Sequence, residues 1–415
     1  IASCLVGSEM CIRDRNKLLT IIKIFKKYEL IKSENFESIG IGFLHSYANS
    51  ENENILKEFI FNNLPGVEVS ISSEVCPEIR EYERFTTTVI NAYIKPLMSN
   101  YLKKLEYELI EKGFNCPLLL MTSGGTLTNI PSACNNPVRL VESGPAGGAI
   151  LATSIARDLG LNKVISFDMG GTTAKITVIE NKKAIKAREF EVDRKARFKK
   201  GSGFPLRIPV IEMVEIGAGG GSIARVNKLE QIITGPDSAG SLPGPACYCN
   251  GGTLPTITDA DLIIGKINPE NFAGGKIKLS KDLAADAITK NISQIVNLDM
   301  DTAALAISEI VDETMSNAAR VHTVEQGHET SSRTLIAFGG AAPLHVARVA
   351  EKLKVSSIII PTNASVGSAV GFLKAPVGYE VVKSLRTLLK AFPVKKVNDL
   401  LEIMREEAEL SLIHI

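Results

Sequence analysis

The chain has 415 residues, 45% of them hydrophobic, enough for two or more packed lobes. Its 47 Lys and Arg against 46 Asp and Glu leave a net charge of +1, which gives no reason to expect nucleic acid or a membrane surface as partner. No apolar stretch approaches the roughly 18 residues of a bilayer span, and seven cysteines without a paired CxxC arrangement make a poor disulfide framework, so a soluble, cytoplasmic protein is expected.

Residues 3–15 show no helical or strand period, and no apolar core follows a basic segment as a secretory signal requires. Residues 1–15 and 410–415 read as translated adapter sequence, and the natural product is expected to be longer at both ends. From there apolar spacing predicts a helix over 18–30, a strand over 38–44, a helix over 52–64 and a strand over 67–72, an α/β layer. Residues 86–112 predict one long helix interrupted near Pro96, followed by a buried strand over 117–121. A helix over 144–158 leads to strands over 164–167 and 175–179 that form a hairpin around a loop at 168–173. Residues 182–200 hold nine Lys or Arg and three acidic residues, the pattern of a solvated loop or exposed hairpin more than of a polyanion site. Residues 206–249 are too rich in Gly and Pro for long regular elements, and loops this long build sites. Helices over 283–290 and 302–323, a strand over 334–338, a helix over 343–353 and a strand over 356–360 complete a second α/β unit.

The sharpest chemical signal is Asp168-Met169-Gly170-Gly171-Thr172-Thr173 between two apolar strands. Consecutive glycines let backbone N–H groups approach an anion with no side chain in the way, and Thr172 and Thr173 add hydroxyls. Asp168 at the strand end suits a hydrated Mg²⁺ beside phosphates, since that ion keeps several waters and takes one or two carboxylates. An ordinary Gly-Gly hairpin turn is the competing reading. Phe338-Gly339-Gly340-Ala341-Ala342-Pro343-Leu344-His345 runs from a strand into a helix start, a turn that can lie flat against a base or ribose and present amides to phosphate, with close helix–strand packing as the competing reading. Ile216-Gly217-Ala218-Gly219-Gly220-Gly221-Ser222 reads as a backbone-lined anion or substrate site, with a flexible connector as the alternative.

These loops, together with Tyr82-Glu83-Arg84, Asn91-Ala92-Tyr93, Val141-Glu142-Ser143-Gly144-Pro145-Ala146, Gly235-Pro236-Asp237-Ser238-Ala239-Gly240, Pro243-Gly244-Pro245-Ala246-Cys247-Tyr248 and Thr258-Asp259-Ala260-Asp261, resemble the hydantoinase A/5-oxoprolinase family over roughly residues 38–380. The resemblance implies an α/β fold of the two-lobed actin/Hsp70/sugar-kinase ATPase type, incomplete at both ends. It implies the end of an N-terminal hydantoinase/oxoprolinase domain over 16–78, the hydantoinase A/oxoprolinase domain over 79–375, and the start of a C-terminal domain over 376–409. It implies ATP and Mg²⁺ as cofactors, with Asp168 and Thr172 catalytic and Asp168 holding Mg²⁺ through water. Gly170, Gly171, Thr173, Gly339, Gly340, Gly219 and Gly220 would bind the nucleotide, and Ser123, Gly124, Asp237 and Asp259 are substrate candidates. The first phosphate loop of the family has no counterpart in this sequence, and Lys175 stands where many members carry Asp.

The activity implied is opening of a cyclic amide, of hydantoin or 5-oxoproline type, after ATP phosphorylates its carbonyl oxygen, in company with a hydantoinase B-type subunit or fused domain. An ATP-dependent ketone carboxylase subunit and a non-catalytic nucleotide-binding partner are the alternatives. Cys247 and Cys249 lack a second ligand pair for a metal, so structural or incidental roles are expected; His322, His328 and His345 lack a zinc spacing, so helix caps or cleft hydrogen bonds are expected. Asp261 is a further candidate for a substrate or metal contact, with a helix cap or Asx-turn as the competing role.

Overall fold

The computed structural model describes residues 3–7, 36–194 and 201–414. The helix expected over 18–30 and residues 195–200 of the basic stretch lie outside the described residues. The chain forms two compact units, one of Ile1–Ala146, Lys186–Val210 and Ala375–Ile415, the other of Gly147–Ile185 and Ile211–Lys374.

In the first unit, three parallel strands stand in the order β1 (Ser3–Gly7), β2 (Ser38–Phe43), β3 (Glu68–Ile71). Ser3–Gly7, within the segment that shows no period, is thus a paired strand. β2 is buried throughout and its apolar residues pack with α1 (Glu51–Asn63). Across β2 lies α2 (Glu81–Glu111), which is continuous through Pro96 where a break was expected. A helical proline forfeits one N–H bond and crowds the preceding turn, a cost that 31 residues of packed helix absorb. The fully buried Arg84 of α2 donates to the carbonyls of Phe43 and Glu78 and to Ser72 Oγ, so it ties the sheet to the helix. Asn91 does the same through Ser70, the Asn135 carbonyl and the Val138 amide. A short hairpin, β4 (Leu119–Met121) and β5 (Leu127–Asn129), follows.

The second unit begins within α3 (Ser143–Asp158) and is built on β6 (Lys163–Met169), β7 (Ala174–Glu180), β8 (Lys183–Ala184), β9 (Met213–Ile216), β12 (Thr334–Phe338) and β13 (Ser357–Ile359). The sheet order is β9-β7-β6-β12-β13, with β8 also paired to β7. β6 and β12 are nearly all buried, as expected of a central parallel pair covered on both faces. One face packs on α6 (Met300–Glu325) and α7 (Ala342–Leu353), through residues such as Ile165, Ile307, Val311 and Val346. The other packs on α3, through Leu151, Ala152, Ile336 and Phe338. Between β9 and α6 the Gly- and Pro-rich stretch yields the hairpin β10 (Ser222–Val226) and β11 (Ile232–Ser238), then α4 (Ile257–Ile263) and α5 (Lys281–Ile288).

Candidate functional site

β6 and β7 are antiparallel with Met169 opposite Ala174, so residues 170–173 must reverse the chain. Gly170 N–H donates to the Thr173 carbonyl at 3.1 Å, and this closes the turn. Among the described residues nothing accepts from the N–H groups of Gly171, Thr172 or Thr173. No other part of the chain comes within 4 Å of the side-chain positions of Gly170 and Gly171. Three successive amides without partners, on a turn whose first two residues carry no side chain, form a cradle for an anion.

Two further glycine loops meet this turn. Gly220 N–H donates to the Gly170 carbonyl at 3.1 Å, Gly221 N–H to the Gly171 carbonyl at 2.6 Å, and Gly219 N–H to Ser222 Oγ at 2.9 Å. The amides of Gly219 and Gly220, expected to face a ligand, are therefore already paired and instead hold the turn in shape. Gly219 is required for close approach: a Cβ there would lie 2.5 Å from Thr172 N. On the other side Ala341 N–H donates to the Met169 carbonyl at 2.9 Å and Gly339 N–H to the Ala364 carbonyl at 2.7 Å. Gly339 has φ +94°, a conformation side chains disfavour, which leaves Gly340 exposed with its N–H unpartnered among the described residues, just before α7. The helix start adds its own partial positive charge.

Asp168 closes β6. Its Oδ2 accepts from Ser368 Oγ at 2.9 Å, while Oδ1 carries no hydrogen bond from a described residue. Ser368 lies on α8 (Gly367–Phe372), and Gly147 of α3 abuts Gly371 of α8 so closely that neither position has room for a Cβ. That glycine contact brings the hydroxyl to the carboxylate, 200 residues away in sequence. Burial raises the Asp168 pKa, against which the Ser368 hydrogen bond and the Lys175 charge pull it down. Lys175, directly across the hairpin, donates to Thr173 Oγ1 at 2.6 Å and pairs with Glu215 at 3.1 Å, so its charge is balanced within the protein. One carboxylate with an open oxygen beside free amides fits a hydrated Mg²⁺ whose other ligands are water and phosphate. Among the described residues no group of three or more His, Cys, Asp or Glu side chains is placed so that it could hold a metal ion.

The sequence model of the hydantoinase/oxoprolinase family matches residues 84–381. This chain belongs to that family. An uncharacterized protein of Methanocaldococcus jannaschii is 43% identical over 390 residues, 93% of this chain and 55% of that protein. Caprolactamase subunit alpha of Pseudomonas jessenii is 31% identical over 411 residues, 98% of this chain and 56% of its own. The crystal structure of that ATP-dependent caprolactamase superposes with a TM-score of 0.80 at 30% identity, over 94% of this chain and 56% of that one. Nucleotide-free acetone carboxylase gives a TM-score of 0.74 at 27% identity, over 92% and 54%. The chain thus spans about half the length of the relatives it matches, and its mixed α/β architecture is that of the actin-like ATPases.

Other candidate residues of the family motifs already have partners within the protein. Asp259 is fully buried, and its carboxylate accepts from the amides of Ala246, Cys247 and Thr256 and from Thr256 Oγ1, a capping box that also pins the Pro-rich loop. Both oxygens of this fully buried carboxylate are thus engaged within the protein. Asp237 is exposed and paired with Arg225. Ser123 lies in the first unit with its Oγ 2.9 and 3.0 Å from the carbonyls of Arg139 and Pro209, so its hydroxyl orders the loop. Gly124 beside it lines a cavity of about 460 Å³ with Ser132, Arg139, Leu140, Arg188 and Glu380, a lining that mixes polar, apolar and charged groups. Cys247 is buried, and its thiol pKa is pushed up by burial and then by Asp259, the opposite of a reactive or metal-binding thiolate. Ser368 and Asp312, which bonds His345, carry no local sequence signal, whereas Asp261, the other partner of His345, lies in a motif of the family.

Proposed function

We propose that this chain forms the nucleotide-handling part of an ATP-dependent enzyme subunit that opens a cyclic amide, of hydantoin or 5-oxoproline type, by phosphorylating its carbonyl oxygen. The observation that carries the reading is the run of unpartnered amides at Gly171, Thr172 and Thr173 beside Asp168, on a turn clamped by two other glycine loops. Phosphoryl transfer is catalysed by positioning and electrostatics more than by covalent chemistry, and fixed backbone donors supply both. In this reading the three amides and Gly340 N–H donate to phosphate oxygens, the Thr172 hydroxyl adds a donor beside the transferred group, and Asp168 orients the hydrated cation. Mg²⁺, when bound, neutralises charge on the phosphates. The cavity beside Gly124 is the candidate site for a small polar molecule.

Amide resonance makes a lactam carbonyl a poor electrophile; moving the γ-phosphoryl group of ATP onto its oxygen releases ADP, and water then adds to the carbon, with the ring C–N bond breaking and phosphate leaving. The likeness to caprolactamase subunit alpha supports a cyclic amide, and that relative's name supports a second subunit, for which our reading is a hydantoinase B-type chain or a fused domain. The likeness to acetone carboxylase supports the second reading, a ketone carboxylase subunit. ATP turnover by the intact protein, with and without its partner, separates them. Turnover that depends on 5-oxoproline or hydantoin supports the first, and turnover that needs acetone and bicarbonate replaces it. Asp168→Ala must abolish either while the fold is kept; full activity in that variant would refute the placement of the phosphate site.

A further inference from the structure

Both glycine loops that clamp the phosphate turn are anchored, on their far side, to one short helix. Thr258 in the first turn of α4 donates its N–H and its Oγ1 to the Gly220 carbonyl, each at 2.8 Å. One turn further, Asp261 of α4 accepts from Nε2 of His345 at 3.0 Å. His345 lies in the first turn of α7, directly after the Gly339-Gly340 turn, and its Nδ1 is 2.8 Å from Asp312 Oδ1 on α6. The three side chains are 0%, 1% and 2% exposed.

The chemistry of this triad is unusual. An ionised carboxylate only accepts hydrogen bonds, so an imidazole with a carboxylate on each ring nitrogen must donate from both, which makes it an imidazolium. Lys266, just beyond α4, places its Nζ 3.5 Å from Asp261 Oδ1, 3.9 Å from Asp312 Oδ2 and 2.8 Å from Ser308 Oγ. Two carboxylates then face two cations, and the buried cluster is neutral. A neutral imidazole would leave excess negative charge in the interior, with a ring lone pair turned on a carboxylate.

We infer that His345 is a positioning residue for the nucleotide site: bridging Asp261 and Asp312 as an imidazolium, it locks the first turn of α7 to α4 and α6. Through those helices it fixes Gly340 and residues 219–221 against the phosphate turn. This rests on the reading of those loops as the nucleotide site. The groups that face the imidazole are Asp261 and Lys266 from the α4 side and Asp312 and Ser308 from α6, so loss of its proton removes one clamp directly. Burial draws the His345 pKa down, but the hydrogen bonds and charges of the two aspartates outweigh it and raise it to about 9. Nucleotide binding is therefore intact at neutral pH and weakens as the pH rises through that value.

The test is calorimetric titration of the intact protein with Mg²⁺ and the non-hydrolysable analogue AMP-PNP, at about pH 7 and about pH 10, in wild type, His345→Gln and the charge-balanced His345→Gln/Asp312→Asn. Wild type should bind roughly tenfold more weakly at the higher pH, and His345→Gln should bind roughly tenfold more weakly than wild type at neutral pH. The double variant, which restores neutrality, should regain affinity over the single variant and lose the pH dependence. In turnover the KM for ATP should rise while kcat changes little, a split that mere loss of stability does not produce. Wild-type affinity that is flat across this pH range, or a folded His345→Gln that binds like wild type, overturns the inference. If His345→Gln does not fold, the wild-type pH series and the double variant decide it. No binding by wild type at any pH would instead refute the nucleotide reading itself.

Discussion

Gly219 and Gly171 make opposite predictions under the same substitution. A Cβ at Gly219 would lie 2.5 Å from Thr172 N and 2.6 Å from the carbonyl carbons of Gly171 and Thr172, all backbone atoms of the turn at residues 170–173. Ordinary carbon contacts need about 3.5–4.0 Å, so Gly219→Ala must push the two loops apart by on the order of 1 Å. Overpacking of this kind costs about 1–3 kcal/mol, and the midpoint should fall by about 2–4 °C for each kcal/mol. Because the Gly220 and Gly221 amides bond the turn's carbonyls, that displacement also disorders the cradle. Gly171→Ala meets no other part of the chain within 4 Å, so its thermal midpoint should match wild type while the new methyl stands where phosphate must approach. Thermal melts and AMP-PNP titrations of both variants check this. Gly219→Ala should lose stability and affinity together, Gly171→Ala affinity alone. A Gly171→Ala protein that binds nucleotide as tightly as wild type would refute the cradle, and a Gly219→Ala protein of wild-type stability would refute the close contact.

Ser368→Ala removes the hydroxyl that stabilises the Asp168 carboxylate, leaving burial less opposed. The acid limb of the pH profile for ATP turnover should move to higher pH, and an unmoved limb would show that Ser368 does not tune Asp168. Asp259→Asn cannot accept from all four donors around it and should destabilise by about 2–3 kcal/mol; in the fraction that stays folded, the KM for the cyclic amide should be unchanged, whereas a raised KM at wild-type stability would return Asp259 to the substrate site. His345 has a raised pKa, so its contribution to stability is complete below its ordinary value of 6.5 and is lost as pH rises through about 9. That loss is on the order of 3 kcal/mol. The thermal midpoint of wild type should drop across that window, and His345→Gln should show no such slope.

The hairpin around residues 170–173 was legible because everything that makes it is local: two β-rich runs, a Gly-Gly pair and an acid near the strand end, which the structure reproduces as β6, turn and β7. The helix and strand bounds downstream agree for the same reason, since α6 and α7 carry strong 3.6-residue patterns. Gly219 and Gly220 show where local reading fails. A glycine required by an approaching backbone and one required by a ligand are the same letter, and only the paired amides tell them apart. Pro96 misled in the opposite sense, because its local penalty is overridden by the contacts of a long helix. Ser368 and the bridge between Asp261, His345 and Asp312 depend on partners 200, 84 and 33 residues apart, brought together by glycine-mediated helix contact and by three helices that a single sequence does not align.

The central claim is that the amides of Gly171, Thr172 and Thr173, with that of Gly340, receive the phosphates. Amide chemical-shift mapping of the intact, isotope-labelled protein with Mg²⁺ and AMP-PNP measures it at those atoms. The account predicts that the largest shifts fall on Gly171, Thr172, Thr173 and Gly340. Saturating nucleotide that leaves these four amides unmoved, or shifts concentrated around the Gly124 cavity, would contradict it.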